Sequence, residues 1–273
     1  MRTTILLAWL LLCTGVHAQE LDTLVSPKTV TNAQLIGIGG TEILDTYLSP
    51  EKYKGNEFTY LSHTIRNYDG KRVSRLLRHQ GTFAQTHNRA NNANELAGMY
   101  TFSYGWLYNW HLLSNNLHVS AGGAIEANLG FVYNTRNSNN PAQARAALQL
   151  VPTAAAEYDF HVKKLPFSVR YEVAAPLTGV MFSPNYGQSY YEIFSRDDYD
   201  HNAVFTHPGN VPSLRHMLTL DFQLWRQTFR IGYLGNYQQA RVNNLKQHQY
   251  SHTFVIGWVS RFKTIRLRRA MRR

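Results

Sequence analysis

Residues 96–110 read LAGMYTFSYGWLYNW, and this stretch decides the fold. Large aromatic side chains occupy the even-numbered positions from Tyr100 to Trp110, whereas Thr101, Ser103 and Asn109 lie at odd-numbered positions. Successive side chains of a β-strand point to opposite faces, so the alternation predicts a strand with one apolar and one polar face. The stretch far exceeds the roughly five or six residues of a globular strand, which favours a strand that crosses a membrane.

The same alternation recurs along the chain. Ile125, Leu129 and Phe131, for example, alternate with Glu126 and Asn128. Ten candidate strands follow, at residues 29–42, 56–68, 72–88, 95–113, 117–135, 147–162, 167–183, 213–224, 228–242 and 247–262. In lipid every backbone polar group needs a partner within the protein, so such strands must close. We predict an all-β, up-and-down antiparallel transmembrane β-barrel of about ten strands; a soluble β-sandwich is the alternative, disfavoured by strand length and aromatic density.

The breaks between candidate strands differ in length. Four are tight, at residues 69–71, 114–116, 163–166 and 225–227, and longer polar stretches lie between them, the longest at about 184–212. An outer-membrane barrel carries short turns on its periplasmic side and longer loops outside. We therefore place the four tight breaks in the periplasm. Their cations would contact anionic lipid headgroups or simply be solvated; they are Lys71, Arg72, Lys163, Lys164 and Arg226.

The N-terminus of the sequence suggests export. Arg2, the apolar run 5–12 and the small residue Ala18 have the pattern of a cleaved signal peptide. Cys13 is the only cysteine, so a chain cleaved after residue 18 has no disulfide framework. We predict a signal peptide at 1–18, the barrel at 19–262 and a basic periplasmic tail at 263–273. Export and strand pattern argue against nucleic acid as a partner of this tail, and they predict a bacterial outer-membrane location.

Several long motifs resemble a known family. They are Ile36–Thr41 with Tyr47–Pro50, Gly130–Asn137, Val180–Phe194, and Pro212–Arg215 with Met217–Asp221. With them the chain resembles a domain-of-unknown-function family of exported barrel proteins from Gram-negative anaerobes, over nearly all of residues 19–273. The resemblance implies an outer-membrane β-barrel and carries no catalytic roles.

Ionisable residues occupy the face that points into the predicted barrel. A barrel of about ten strands has a narrow lumen, wide enough for side chains and some water. We expect these residues to form a paired plug, with a conducting or catalytic pathway as the alternative. They are Glu126, Glu157, Asp159, Arg170, Glu172, Arg215, Asp221 and Arg230.

One pair has the spacing of a lipid-cleaving site. His118 and Ser120 share a face two residues apart on one strand, where a histidine base could reach a serine nucleophile. Their position, just after a periplasmic turn and facing inward, argues against catalysis. They are weak candidates.

The long stretch 184–212 mixes aromatic and acidic residues. Such a loop suits contact with an extracellular ligand or glycan; the alternative is a loop that folds over the mouth and packs its aromatics there. The candidate residues are Tyr186, Tyr190, Tyr191, Asp197, Asp198, Asp200 and His201. The spacing of the acidic residues matches no established cation-binding motif, so we predict no metal site.

Together these patterns predict a non-enzymatic outer-membrane barrel without a cofactor, structural or surface-binding through long outer loops. Outer-membrane lipids are the expected partners. A membrane lipid hydrolase or acyltransferase and a narrow pore for small solutes are the alternatives. The sequence does not indicate an oligomeric state.

Overall fold

Ten long strands form the wall of a barrel. The structure is a computed structural model that describes residues 28–68, 70–138 and 140–264. The predicted signal peptide (1–18) and residues 265–273 of the predicted tail lie outside the described residues. The strands are β1 (Lys28–Asp45), β2 (Ser49–Tyr68), β3 (Val73–Asn88), β4 (Asn94–Leu112), β5 (Leu117–Asn134), β6 (Ala142–Val162), β7 (Leu165–Ala174), β8 (Thr178–Phe182), β9 (Ala203–Thr206), β10 (Leu214–Leu224), β11 (Gln227–Val242) and β12 (Leu245–Thr264). The short β8 continues the line of β7 along β6, and the short β9 pairs with β8.

Every wall strand pairs antiparallel with its neighbours. The order runs from β1 to β7 and on to β10, β11 and β12, with β5 and β6 joined. β12 returns to pair with β1, from Lys28 opposite Thr264 to Asp45 opposite Gln247. The ladder is therefore continuous, and the predicted ten-stranded antiparallel barrel is confirmed.

The barrel is apolar outside and polar inside. On β5, Leu129 is 62% exposed and Ile125 is 53% exposed, whereas Glu126 between them is 4% exposed. The same alternation holds on β4, where Trp106 is exposed and Ser103 is buried. A water-soluble protein has the opposite arrangement, because exposed apolar groups are costly in water but stable in lipid. The chain is an outer-membrane β-barrel.

The connections differ from the expected alternation of short and long. The four tight breaks are present at one end, between β2 and β3, β4 and β5, β6 and β7, and β10 and β11. At the other end most connections are also short, and the one between β11 and β12 is the residue pair Asn243 and Asn244, both with positive φ. The expectation of several long outer loops was wrong. Polar strand ends such as Glu42 opposite Lys54 prolong the ladders there.

One outer connection is long, and it is folded. The predicted strand 167–183 divides into β7 and β8, because Pro176 lacks a backbone N–H. α1 (Tyr190–Ser195) follows, and then β9, which pairs with β8. We call residues 178–206 the outer lobe. Within the described residues, no helix is long and apolar enough to cross a membrane.

Candidate functional site

Ion pairs fill the middle of the barrel. Arg170 donates to Glu157 at 3.1 Å and to Glu172 at 2.8 Å. Arg230 makes two hydrogen bonds to Asp221, at 2.5 and 2.8 Å. Since β7, β10 and β11 are adjacent, these pairs form one charged layer across neighbouring strands.

A further pair lies toward the outer end. Arg215 donates to Glu126 at 2.8 Å, and the Ser103 hydroxyl donates to the same carboxylate at 2.7 Å. Asp159, the last of the eight predicted interior residues, lies at the periplasmic end beside His118. The structure thus brings seven of the eight into ion pairs with one another.

Two charged-layer residues were missed by sequence reasoning. Arg78 contacts Glu172, and the Nε2 atom of His63 lies 3.4 Å from the same carboxylate. Both side chains are almost fully buried. The signal was present in the alternation, because Arg78 shares the inward face of β3 with the buried Ser74 and Gln80.

A polar cavity opens below this layer. It has a volume of about 430 Å³ and is lined by Asn67, Ser120, Asp159, Arg170 and Arg230, among others. Its upper end is the charged layer itself, since Arg170 and Arg230 belong to both. The periplasmic half of the lumen is therefore a vestibule that ends at ion pairs.

The His118–Ser120 pair is not arranged for nucleophilic catalysis. The Nε2 atom of His118 lies 3.3 Å from Asp159, and its Nδ1 atom lies 2.6 Å from Nδ1 of His111. A base must direct one ring nitrogen at the nucleophile's hydroxyl. Both ring nitrogens of His118 are engaged elsewhere, which leaves none for Ser120.

The outer lobe has its own local structure. Ser189 caps α1 by accepting from the Glu192 backbone N–H at 3.2 Å, and the Glu192 carboxylate accepts from the Ser189 N–H at 2.7 Å. This is a capping box, which satisfies two helix-end donors reciprocally. The hydrogen bonds from Ser189 hold the pKa of Glu192 below its usual value. Ile193 of α1 is fully buried.

In addition to the pairing of β8 with β6, side chains fasten the lobe to the rim of the barrel at three places. The Tyr47 hydroxyl, from the β1–β2 turn, donates to the Gln188 carbonyl at 3.0 Å, and burial raises the pKa of Tyr47 to about 12. Asn243, in the β11–β12 turn, donates to the carbonyls of Ser183 and His201, each at 3.0 Å. The Tyr190 hydroxyl donates to the side-chain oxygen of Gln143, on β6, at 2.9 Å. The lobe is therefore a fixed part of the outer rim.

The predicted ligand-contacting residues divide into two groups. Tyr190 packs inside the lobe, stacked on Phe194 at 6.0 Å, and burial raises its pKa. The other six are exposed and lie on the surface of the lobe. Some of them have local contacts: Arg196 lies over the Tyr191 ring at 5.4 Å, and Asp200 contacts His201. The six are Tyr186, Tyr191, Asp197, Asp198, Asp200 and His201.

Other aromatic residues of the lobe face the wall. A groove of about 630 Å³ lies between the lobe and the outer face of the barrel, lined by Leu129, Leu148, Val180, Phe194 and Tyr199, among others. Because Leu129, Leu148 and Val180 belong to the exposed apolar face of the strands, this side of the lobe adjoins lipid. Within the described residues, no group of three or more His, Cys, Asp or Glu side chains could hold a metal ion.

The barrel resembles several solved outer-membrane proteins. With the outer membrane protease OmpT from Escherichia coli the identity is 7%, coverage is 90% of this chain and 100% of that one, and the TM-score is 0.44. With the translocator domain of the autotransporter NalP from Neisseria meningitidis, the identity is 11%, coverage is 94% of this chain and 97% of that one, and the TM-score is 0.37. With the COG4313 outer membrane channel from Pseudomonas putida F1, the identity is 9%, coverage is 90% of this chain and 100% of that one, and the TM-score is 0.34. No activity is carried over from these likenesses.

Sequence comparison identifies a family. No curated protein matches the chain. A family model described as "Protein of unknown function (DUF3316)" matches residues 4–269. The match confirms the predicted family of unknown function, whereas the anaerobic source implied by the resemblance stays a prediction.

Proposed function

We propose a function for this chain, which belongs to the DUF3316 family of proteins of unknown function: it is a sealed outer-membrane barrel that binds an extracellular ligand at its outer lobe. The observation that carries the proposal is the contrast between the lumen and the outer lobe. The lumen is crossed by paired charges, while the outer lobe is a folded element held at three points of the rim. A pore would need the reverse, a lumen that is open from end to end.

The charged layer supports the seal. Arg170 and Arg230 have side chains that are 7% and 4% exposed, and each is bonded to a carboxylate. An ion crossing the barrel would have to displace these pairs. Separating a buried pair would leave two charges without partners in a low-dielectric interior, which is unfavourable.

The lobe supports surface binding. Tyr186 and Tyr191 are 74% and 62% exposed, and they lie on a segment whose backbone is fixed by capping and rim contacts. Tyrosines on a fixed backbone offer large contact area at small entropic cost. Their stacking faces and hydroxyls, beside Asp198, Asp200 and His201, suit a sugar or a polar peptide.

Planar-bilayer recording tests the seal. We expect the purified protein, shown to be folded by heat-modifiable gel migration, to give no ohmic steps. The double variant Arg170→Ser/Glu172→Ser should conduct if it remains folded. Steps of defined size from the unmodified protein would overturn the sealed lumen and favour the narrow pore.

Glycan-array binding tests the lobe. We expect protein in detergent micelles to bind a subset of glycans, and the double variant Tyr186→Ala/Tyr191→Ala to lose at least tenfold in affinity. The matched control is Tyr133→Ala/Tyr158→Ala, which removes two exposed tyrosines from the wall. Equal loss in both double variants, or no glycan bound at all, would remove the support for glycan recognition.

A further inference from the structure

A group of polar side chains interrupts the lipid-facing surface of the wall. The outward face of β1 carries Ile36 and Ile38, which are 52% and 70% exposed. Every second residue of a strand shares a face, so the same face continues toward the periplasmic end with polar residues, and residues directly opposite them in register share it as well. These residues, which we call the polar patch, are Asn32 and Gln34 on β1, Ser62 and Thr64 on β2, and His79 on β3.

The polar patch lies near the middle of the membrane. Gln34 lies about midway along β1 between Lys28, at the periplasmic end, and Glu42, which accepts from Lys52 at 2.7 Å near the outer end. A tilted strand crosses the hydrocarbon with roughly 9–11 residues, so the middle of this interval faces lipid tails. Trp258, opposite Gln34 on β12, is 55% exposed. The patch is therefore bordered by apolar side chains and lies away from the lipid headgroups.

The outward faces of β5 and β6 differ from this arrangement. On β5 every second residue from Val119 to Phe131 points outward, and each of them is apolar or glycine. On β6 the outward residues from Ala146 to Ala156 are apolar as well. Polar groups are costly in hydrocarbon, because lipid tails accept and donate no hydrogen bonds. Five polar side chains gathered on one side of the barrel therefore indicate a neighbour other than lipid.

Hydrogen bonds within the polar patch satisfy only part of it. Asn32 donates to the Thr64 hydroxyl at 2.6 Å. The Gln34 amide donates to the Ser62 hydroxyl at 3.0 Å. Both hydroxyls accept a bond, and neither donates its own hydrogen to a described residue. His79 is partly exposed; its Nδ1 atom bonds a tyrosine hydroxyl of β4 at 2.7 Å, and its Nε2 atom has no partner among the described residues. These groups can still bond a partner from outside the chain.

A notch lies beside the polar patch. Gly81 of β3 is on the same face as His79 and lies opposite Tyr60. A Cβ atom placed on Gly81 would have no atom within 4 Å. Ser62, the neighbouring residue of the patch on β2, is also small. Small residues let two membrane-spanning surfaces approach closely enough for hydrogen bonds between their polar side chains.

We propose that the polar patch is the interface of a homodimer, in which a second copy of the chain lies alongside the first with its own patch facing this one. The partner must present polar groups at mid-depth, which lipid does not. A second copy inserted in the same direction does so, because a twofold axis along the membrane normal places each patch opposite itself at equal depth. Hydroxyl, amide and neutral imidazole groups both donate and accept, so the patch is complementary to itself.

Ser62 would lie closest to the twofold axis. It has Gln34 opposite it on one side and His79 opposite it on the other, which places it at the centre of the patch. Near such an axis a residue faces its own counterpart. The inference is independent of what the outer lobe binds.

Cross-linking in outer-membrane vesicles tests the proposal. Ser62→Cys is made together with Cys13→Ser, so that the new thiol is the chain's sole cysteine, and is oxidised with copper phenanthroline, which enters lipid. We expect a product of twice the chain's mass that a reductant reverses. The control is Ala154→Cys, at an exposed outward position of β6, which should give at least tenfold less product. Equal yields, no product, or a product of another mass formed with a different protein would each overturn the homodimer.

Filling the notch is the second arm. We expect Gly81→Leu to weaken association at least tenfold in sedimentation equilibrium of the full chain in detergent micelles, because the new side chain would hold the two walls apart. The control is Gly123→Leu, at an outward glycine of β5 whose Cβ would also meet no atom closer than 3.9 Å. Heat-modifiable gel migration shows that each variant is folded. A monomeric unmodified protein, or equal association in the two variants, would refute the interface.

Discussion

Removing the arginine of the Asp221–Arg230 pair should destabilise the barrel strongly. The two residues lie directly opposite each other on β10 and β11, joined by two hydrogen bonds of 2.5 and 2.8 Å. Their side chains are 6% and 4% exposed. Arg230→Met leaves the Asp221 carboxylate buried without its partner, which costs roughly 3–5 kcal/mol. This lowers the ratio of folded to unfolded protein by about two to four powers of ten, since about 1.4 kcal/mol is tenfold.

A double variant distinguishes the loss of the ion pair from the loss of side-chain packing. Asp221→Leu/Arg230→Met removes both charges, so we expect it to cost less than Arg230→Met alone, because an apolar pair leaves no charge unsatisfied. The assay is urea unfolding in phospholipid vesicles followed by tryptophan fluorescence. Gln223→Met, at an exposed position on β10, is the control. A cost below about 1 kcal/mol for Arg230→Met would refute the reasoning, because it would mean that water screens the pair and that the lumen is not sealed.

Three other outcomes are expected. Ser189→Ala should lower the stability of α1 by about 1 kcal/mol, measured as faster amide exchange confined to the outer lobe. The pKa of Glu192 is lower in the folded than in the unfolded chain. Its stabilising effect is therefore full above the unfolded pKa of about 4.3 and is lost as the pH falls through the folded pKa. The protection of the lobe amides from exchange should decrease over the same pH range, and Glu192→Gln should abolish this pH dependence. Gly257→Ala places a Cβ against the backbone of Gln34 and should lower the urea midpoint, whereas Gly81→Ala, with open space around it, should not.

The sequence was sufficient to predict the strands of the wall and which of their side chains face the lipid or the lumen. A period of two assigns each side chain to lipid or lumen, so the alternation alone placed Glu126 in the lumen and Leu129 in lipid. The strand ends were less predictable. The hairpin joining β11 to β12 turns on Asn243 and Asn244, a pair typical of such turns, within a polar stretch that resembled a loop.

The partners of the interior charges could not be predicted. Arg78 and Glu172 are far apart in sequence and meet across the lumen, which depends on the barrel's closure rather than on any local pattern. The pairing of β9 with β8 was missed for a similar reason. Pro176 indicates a break within one strand, but only the three-dimensional pairing reveals that β9 replaces β10 beside β8.

The pairing of β1 with β12 has a consequence for assembly. These strands join residues separated by nearly the whole described chain, along a continuous register from Lys28–Thr264 to Asp45–Gln247. Contacts of such high sequence separation form late, because the entropy of closing the ring must be lost first. Until then both terminal strands present unpaired edges, which can pair with another copy. The protein is thus most prone to aggregation just before the ring closes, and removing β12 would leave it permanently in that state.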